Sequence, residues 1–462
     1  MSPTGTFPAP GEDVRGAERV ARFPQLLRIP TVSRLDASTT DWAAFDAFLA
    51  LLPDLYPRLH GALDRERVGS HSLLYRWRGR SAGAPTVLMA HYDVVAAPDA
   101  GWLHPPFAAE PEPAQGTGSL REAVLHGRGT LDDKGALAAI LEAVEDLVAE
   151  GFLPQHDVYL AFGSDEEVAG TGAAAIAALL ARRSVRPALV LDEGGAVVEP
   201  GLVRGVDRSL AVVGVTEKGI TSLELSVEQP GGHASTPPRI TAPARLARAI
   251  TRLTRARFPA RMSPAAVGFV AAIADSAHGP QRVVFRHIRY TKPLVTMLFA
   301  RLSDETRAMV RTTAAVTELR GSEGADVLAE RASAIVNVRI AVGSSVAEAV
   351  AQVRRAIRDP RVRIEVLNPS EPSPVSPFDG PLRDELSAAI RAVHPGVVVT
   401  PYTMLGATDS RHFASLGGAV YRFTPFRIFA AARATLHARG ESIGVGTWLD
   451  GVGFYEHLLR AR

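Results

Sequence analysis

Residues Gly127 to Gly135 read Gly-Arg-Gly-Thr-Leu-Asp-Asp-Lys-Gly and separate two periodicities. Before them, Ala123, Val124 and Leu125 form a short β-like run. After them, Leu137, Ile140, Leu141, Val144, Leu147 and Val148 recur at intervals of three and four, which places them on one face of a helix. A strand that passes into a long amphipathic helix through so short a turn constrains the chain to an α/β architecture. Asp132 and Asp133 fall just before the helix. A carboxylate there acts as an N-cap favoured by the helix dipole, or as a metal ligand where other ligands meet it.

Other ligands do recur at strand ends. The β-like run Thr86 to Ala90 leads into His91-Tyr-Asp93, whose two polar residues share one face of an extended chain, so that one can bind a metal and the other orient it. Val158 to Phe162 leads into Asp165-Glu166-Glu167, where adjacent side chains diverge and one glutamate can ligate while its neighbour serves as general base. Ala188 to Leu191 leads into Asp192-Glu193-Gly194-Gly195. Ligands in open α/β sheets bind at the carboxyl edge, where these residues fall. Two later histidines compete as the last ligand: His412, early in a helix-like segment, and His437, in a loop before the final helix. Trp102 and Pro105-Pro106-Phe107 read as a rigid packing turn.

Composition narrows the chemistry. With 462 residues, 46% of them hydrophobic, the chain can bury a large core and divides into more than one domain. Cysteine is absent, so thiolate nucleophiles, disulfides and thiolate zinc sites are excluded and any metal site uses N and O donors. No apolar run approaches the roughly 18 residues that span a bilayer, and Met1 to Gly16 lacks a signal-peptide pattern, so the expectation is a cytoplasmic protein without a membrane partner. The pI is about 9.0, yet the net charge is only +2 and arginines are scattered among acids, so no nucleic-acid partner is expected. Position 132 is Asp rather than the third glycine of a dinucleotide fingerprint, and no Gly-Lys-Ser/Thr forms a P-loop.

From about 213 the texture changes. Strand-like Thr221 to Val227, helical Ala242 to Leu253, strand-like Thr312 to Leu319 and Ala334 to Ile340, helical Val346 to Ile357 and strand-like Val362 to Val366 follow in the order of a split βαβ sandwich. The expected organisation is a catalytic domain over 1–212 and 369–462, with a mixed, mostly parallel sheet between helices, interrupted by an α+β, ferredoxin-like lid domain over 213–368. Residues 257–310 read as mostly helical. Helices are also expected over Leu382 to Val393 and from about Thr447 to Leu459.

Eight motifs stand in order: His91-Tyr-Asp93, Gly127-Arg-Gly-x-x-Asp132-Asp-Lys-Gly, Glu166-Glu167, Asp192-Glu-Gly-Gly, Gly232-His233-Ala-Ser-x-Pro-Pro, Asn337-x-Arg339, Gly406-x-x-Asp409-Ser-Arg411 and His437-x-x-x-Glu441. From about 80 to 450 the chain thereby resembles the M20 family of dizinc peptidases, in particular the carboxypeptidase S branch, which includes N-acyl amino acid hydrolases. The resemblance implies two Zn2+ per chain, with Co2+ or Mn2+ as substitutes: His91 and Asp192 on one, Glu167 and His437 on the other, Asp132 bridging. It implies Asp93 as the residue orienting His91, Glu166 as general base and acid, and His233 as an oxyanion donor, in this family often from the partner subunit of a dimer. Asn337, Arg339, Gly406 and Arg411 fall to substrate binding; Arg339 carries the forked donors suited to a substrate carboxylate.

The family's Asn-Val-Ile-Pro is here Asp326-Val-Leu-Ala, and its Pro-Gly after the Asn-x-Arg strand is Val342-Gly343. These departures bear on lid geometry and specificity. The expected function is hydrolysis of a peptide or N-acyl amide bond to release an amino acid, by a carboxypeptidase or dipeptidase or by an N-acyl amino acid hydrolase, in a possible homodimer joined through the lid. An inactive metal-binding dimer scaffold is the competing expectation, and it should have lost a ligand or the base; all are retained.

Overall fold

The computed structural model describes residues 14–98, 100–112, 120–201, 203–322 and 324–462; the Gly- and Pro-rich start of the chain lies outside them. The chain forms two compact units, one of Met1–Gly214, Ser376–Thr400 and Thr408–Arg462, the other of Val215–Val375 and Pro401–Ala407.

The first unit is built on a mixed sheet whose centre is parallel. Val158–Gly163, Thr86–His91, Leu189–Asp192 and Ala419–Arg422 lie side by side in that order. Antiparallel strands flank them, Ser72–Trp77 on one side and Leu210–Glu217 on the other. Thr86–His91 and Val158–Gly163 are buried along their whole length, which is why they read as continuous apolar runs without alternation. The register pairs His91 with Gly163 and Arg422 with Asp192, so the central strands end at one edge and deliver their polar continuations there.

The helix after the glycine-rich turn runs over Lys134–Ala149. Its sequence shows one apolar face, but the fold buries nearly its whole circumference, because the polar residues on the other side find partners. Glu142 pairs with Arg22, and Glu145 accepts the backbone N–H of Leu59 at 2.8 Å. Lys134, fully buried, donates to the carbonyls of Leu26 (3.0 Å) and Ile29 (2.6 Å). Asp133 occupies the N-cap position without a capping hydrogen bond. The final helix, Val445–Ala461, crosses here: Trp448 Nε1 donates to the Gly135 carbonyl at 3.0 Å, and its ring stacks on Phe23 at 4.7 Å.

The second unit contains the expected βαββαβ order. Its antiparallel sheet runs Thr313–Arg320, Arg331–Ile340, Gly219–Glu228, Arg363–Ser370. Leu246 of helix Ala242–Arg255 and Val353 of helix Val346–Ile357 share its core with Leu223, Leu225, Val336 and Val338. Pro264–Ile273, Gly279–Arg286, Ile288–Leu302 and Asp304–Val310 are helical, as the sequence expects for 257–310. Buried Lys218 donates to the carbonyls of Arg311 (2.7 Å) and Ala308 (3.1 Å). Among the described residues no helix is long and apolar enough to cross a membrane.

Gly135 is a packing constraint, since a Cβ there would stand 2.2 Å from the Thr130 carbonyl oxygen. Alanine normally gains about 1 kcal/mol over glycine inside a helix. Gly135→Ala should instead lose about 1–3 kcal/mol of unfolding free energy in a denaturant titration, because the turn carrying Asp132 has to move. A stabilised variant would show that the turn yields freely.

Candidate metal centre

The site belongs to the first unit and is assembled at the carboxyl edge of its sheet. His91, the last residue of its strand, is 2% exposed. Its Nδ1 lies 3.0 Å from the Asp93 carbonyl and 3.3 Å from Asp93 Oδ1, which turns Nε2 toward Asp132 Oδ1 at 3.0 Å and Glu193 Oε1 at 3.5 Å. Asp93 is fully buried. It accepts from Ser33 Oγ (2.7 Å) and from the backbone N–H groups of Glu166 (3.1 Å) and Glu167 (3.2 Å), so one carboxylate orients the histidine and anchors the turn with both glutamates.

Asp132 stands between two histidines. Its Oδ2 lies 3.0 Å from His437 Nε2, and that nitrogen lies 3.1 Å from Glu167 Oε2. His437 holds a left-handed backbone, φ 57°, in the loop before the Ser442–Gly444 strand. That strand pairs with Val124–His126 and brings Glu441 against the glycine-rich turn. Glu441 is fully buried; Oε1 accepts the N–H groups of Leu131 (2.9 Å), Gly129 (3.1 Å) and Asp132 (3.3 Å), and Oε2 pairs with Arg128. Arg128 also lies over Trp102, so the Trp102 turn is packing.

The sequence-derived ligands His91, Asp132, Glu167 and His437 are brought together, and Asp192 is not. Its Oδ2 accepts the Ser410 N–H at 2.8 Å, and Glu193, one residue on, meets His91 and Asp132 instead. The reason is local: Asp192 is the last residue in the ladder, and the chain then turns at Gly194 (φ 131°), whose N–H donates to Thr424 Oγ1 at 3.1 Å. His412 stays outside both groups. Burial, then Arg411, lowers its pKa to about 4. Arg411 Nη1 donates to the Thr408 carbonyl at 3.1 Å. Asp409 was given no role in the sequence, yet both its carboxylate oxygens are buried without a hydrogen bond. Gly170, also left-handed at φ 64°, makes room for it: a Cβ would stand 2.4 Å from Asp409 Oδ1.

His233, Asn337, Arg339 and Gly406 belong to the second unit. His233 is exposed; its Nδ1 accepts the Ser235 N–H at 3.1 Å, which leaves the proton of a neutral ring on Nε2. Arg339 Nε donates to Asn337 Oδ1 at 3.1 Å.

The electrostatics follow from crowding. Burial pushes Glu193 up to about 7, with Asp132 adding to it and His91 opposing. Burial likewise pushes Glu166 well above the usual carboxylate range; Glu193, Asp409 and Asp132 add to this, while His91 acts against it. His437 is raised to about 10 by its hydrogen bonds to Asp132 and Glu167. Burial alone would raise Asp132, but His437 and His91 hold it below its ordinary value. These residues fit a pair of divalent cations. Donor separations of 3.0–3.5 Å match the roughly 3.3 Å between ligand atoms in a tetrahedral N/O shell, and Glu167 Oε1 is buried without a partner.

Residues 87–461 match the model of peptidase family M20/M25/M40. The N-fatty-acyl-amino acid synthase/hydrolase PM20D1 of Homo sapiens is 33% identical over 455 residues, covering 96% of this chain and 88% of that protein. The probable carboxypeptidase S-like 2 of Dictyostelium discoideum is 32% identical over 455 residues, covering 97% and 85%. Among solved structures, the M20 family metallo-carboxypeptidase Sso-CP2 of Sulfolobus solfataricus superposes with a TM-score of 0.68 at 16% identity, covering 96% of this chain and 98% of that one. The YXEP protein of Bacillus subtilis, described as a dinuclear metal binding peptidase, gives 0.57 at 12% identity, covering 97% and 98%. By the matched span and by these relatives, the chain belongs to peptidase family M20/M25/M40.

Proposed function

We propose that the protein is a dizinc hydrolase that cleaves a peptide or N-acyl amide bond and releases an amino acid. In this reading His91, Asp132 and Glu193 hold one cation, Asp132, Glu167 and His437 the other, and Glu166 is the general base and acid. The observation that carries it is the pair of His/carboxylate groups sharing Asp132, with Glu166 half-buried among the same carboxylates. The names of the relatives, N-fatty-acyl-amino acid synthase/hydrolase and carboxypeptidase S-like, supply the substrate class. Zinc is the proposed ion because imidazole and carboxylate donors suit it and N/O sites bind it more tightly than Mn2+; Co2+ would be a working substitute.

Two cations held there supply Lewis acidity, polarising the amide carbonyl and acidifying water from a pKa near 15.7 toward about 7. The chain supplies the proton traffic: Glu166 takes the proton of the attacking water and returns it to the leaving nitrogen. Asp93 fixes the His91 ring so that Nε2 faces Asp132 and Glu193, where it would hold a cation. His233 donates Nε2–H to the developing oxyanion, and Arg339, steadied by Asn337, takes the substrate carboxylate, with Gly406 and Arg411 completing the substrate side. The second unit is the lid, acting in a cytoplasmic homodimer, which light scattering and cell fractionation test. Hydrolysis by zinc-loaded protein of free dipeptides, acetyl amino acids and long-chain acyl amino acids, compared side by side, tests the function; failure on all three sets rejects it.

Elemental analysis should find two zinc per chain, and chelation should abolish turnover. His437, raised to about 10, carries a proton at neutral pH when the carboxylates alone surround it, and it ligates only as the neutral ring. Reloading chelated protein at pH 7 should therefore release protons, and apparent metal affinity should rise with pH up to about 10. Calorimetry in buffers of different ionisation enthalpy measures both, and proton-neutral loading would exclude His437.

The two acids at the end of the Leu189–Asp192 strand separate by metal content. Glu193→Gln should cost one zinc equivalent, and Asp192→Asn should retain both. The reverse result assigns the ligand to Asp192.

Glu166→Gln keeps shape but cannot accept a proton, so kcat should fall by about 10²–10⁴ with zinc unchanged. His233→Ala should lower kcat by about 10²–10³ with little change in KM. An effect of His233→Ala confined to KM would make it a binding residue only.

A further inference from the structure

The helical stretch of the second unit between Arg257 and Arg311 takes no part in the chemistry above, and two independent features distinguish it. The first is a concentration of arginines, most of them without a counter-ion. Arg255, Arg257, Arg301, Arg307 and Arg311 line one cavity of about 640 Å³, together with apolar residues and threonines and with no carboxylate. Arg307 leans on Asp304 at 2.8 Å, whereas Arg257, Arg301 and Arg311 have no ion-pair partner among the described residues. Arg311 Nε is buried without a hydrogen-bond acceptor. The Arg311 guanidinium is held below its ordinary pKa, first by burial and then by Arg257, Arg307 and Arg301. Like charges gathered at a partly desolvated site oppose one another until an anion joins them.

The second feature is a helix that is apolar on two opposite sides. In Ile288–Leu302, the residues Ile288, Val295 and Phe299 face the core. Across the helix, Tyr290 (84% exposed), Leu294 (44%), Met297 (44%) and Leu298 (40%) face outward within an arc of about 100°. Arg301 falls on the same arc, so the apolar stripe runs into the arginine cavity. Met297, Ala300, Arg301 and Arg311 also line an adjoining groove of about 620 Å³. Between residues 276 and 303 there are five Lys and Arg (Arg282, Arg286, Arg289, Lys292 and Arg301) and no Asp or Glu.

We infer that this face docks on an anionic phospholipid surface, the arginine cavity taking headgroup phosphate or carboxylate and Tyr290, Leu294, Met297 and Leu298 entering the interfacial layer. An outward apolar stripe flanked by cations is the pattern of a helix lying in a membrane interface, and each cation near an anionic leaflet adds to the attraction. Asp275 answers Arg286 and Arg282, but a second copy of the chain still fits worse, because a two-fold pairing through this stripe would bring Arg289, Lys292 and Arg301, which have no ion-pair partner among the described residues, toward their own copies. The contact is peripheral and spans nothing.

The test uses the full-length, metal-loaded protein and sedimentation with vesicles. It should bind vesicles of phosphatidylcholine with about a third phosphatidylserine, bind poorly to phosphatidylcholine alone, and dissociate as salt rises. Arg257→Glu with Arg301→Glu should weaken binding at least about tenfold. Tyr290→Ser with Leu294→Ser should weaken it with the charge unchanged. All four positions are exposed, so both variants should keep wild-type circular dichroism and wild-type hydrolysis of an acetyl amino acid. Absence of binding to anionic vesicles overturns the inference, as does equal binding to both compositions. Full competition by inorganic phosphate with no effect of the serine substitutions would assign the cavity to a soluble anion and reject the lipid. A smaller oligomer on Tyr290→Ser, seen by light scattering with vesicle binding intact, would assign the face to a second copy. Vesicle binding needs no turnover, so its failure is distinguishable from failure of the hydrolase reading.

Discussion

The carboxylate of Glu441 is the interaction on which the site depends. It receives three backbone N–H groups of the glycine-rich turn and the guanidinium of Arg128, all in a buried position. Amides in a tight turn ending in a helix have no ladder partner, and a buried unsatisfied N–H costs about 1–3 kcal/mol. One carboxylate removes three such costs at once. Burial pushes Glu441 up to about 7 against the pull of Arg128 and the Leu131 N–H, so the anion is maintained by those partners. Because Glu441 lies four residues beyond His437, the same contact sets the turn that presents Asp132 and the loop that presents His437.

The rest of the centre follows the same economy. Asp93 does for the other side what Glu441 does for this one, holding the His91 ring and the Glu166–Glu167 backbone with one buried group. Parallel strands ending in register place these groups at one edge, so the site needs no long excursion of the chain. What the scaffold leaves is a set of carboxylates raised by burial and by one another, a charge distribution that favours a cation over any neutral occupant.

Much of this was legible in the sequence where one periodicity decided it. The Val346–Ile357 helix was readable to the residue, because its apolar positions face one core, and the split βαβ order of the second unit followed from alternation. His91, Asp132, Glu167 and His437 were legible because each follows a clear apolar run or stands in a motif. Glu193 was not, because adjacent acids at a strand end point in different directions and the sequence does not say which of the two faces His91 and Asp132. Glu441 and Asp409 were not, because their partners lie hundreds of residues away or consist of space left by a glycine. The Lys134–Ala149 helix looks one-faced in the sequence, since its periodicity does not show that Arg22 and the Leu59 amide arrive from elsewhere.

Charge shows the same limit of averages. A net charge of +2 and arginines interspersed with acids describe the chain as a whole, but not its parts. Carboxylates gather at the sheet edge of the first unit, in Asp132, Asp133, Glu166, Glu167, Asp192, Glu193 and Asp409, while residues 276–303 of the second unit contain none. The two concentrations largely cancel in the sum, so an average over the chain shows neither. Lysine is used differently. Of three lysines, Lys134 and Lys218 are buried, each held by backbone carbonyls, and burial lowers both to about 7. A compact ammonium on a flexible stem can satisfy several carbonyls inside a core, whereas the planar guanidinium suits anions at a surface. Lys134 and Lys218 thus serve as internal donors, whereas the exposed Arg257 and Arg301 present outward charge.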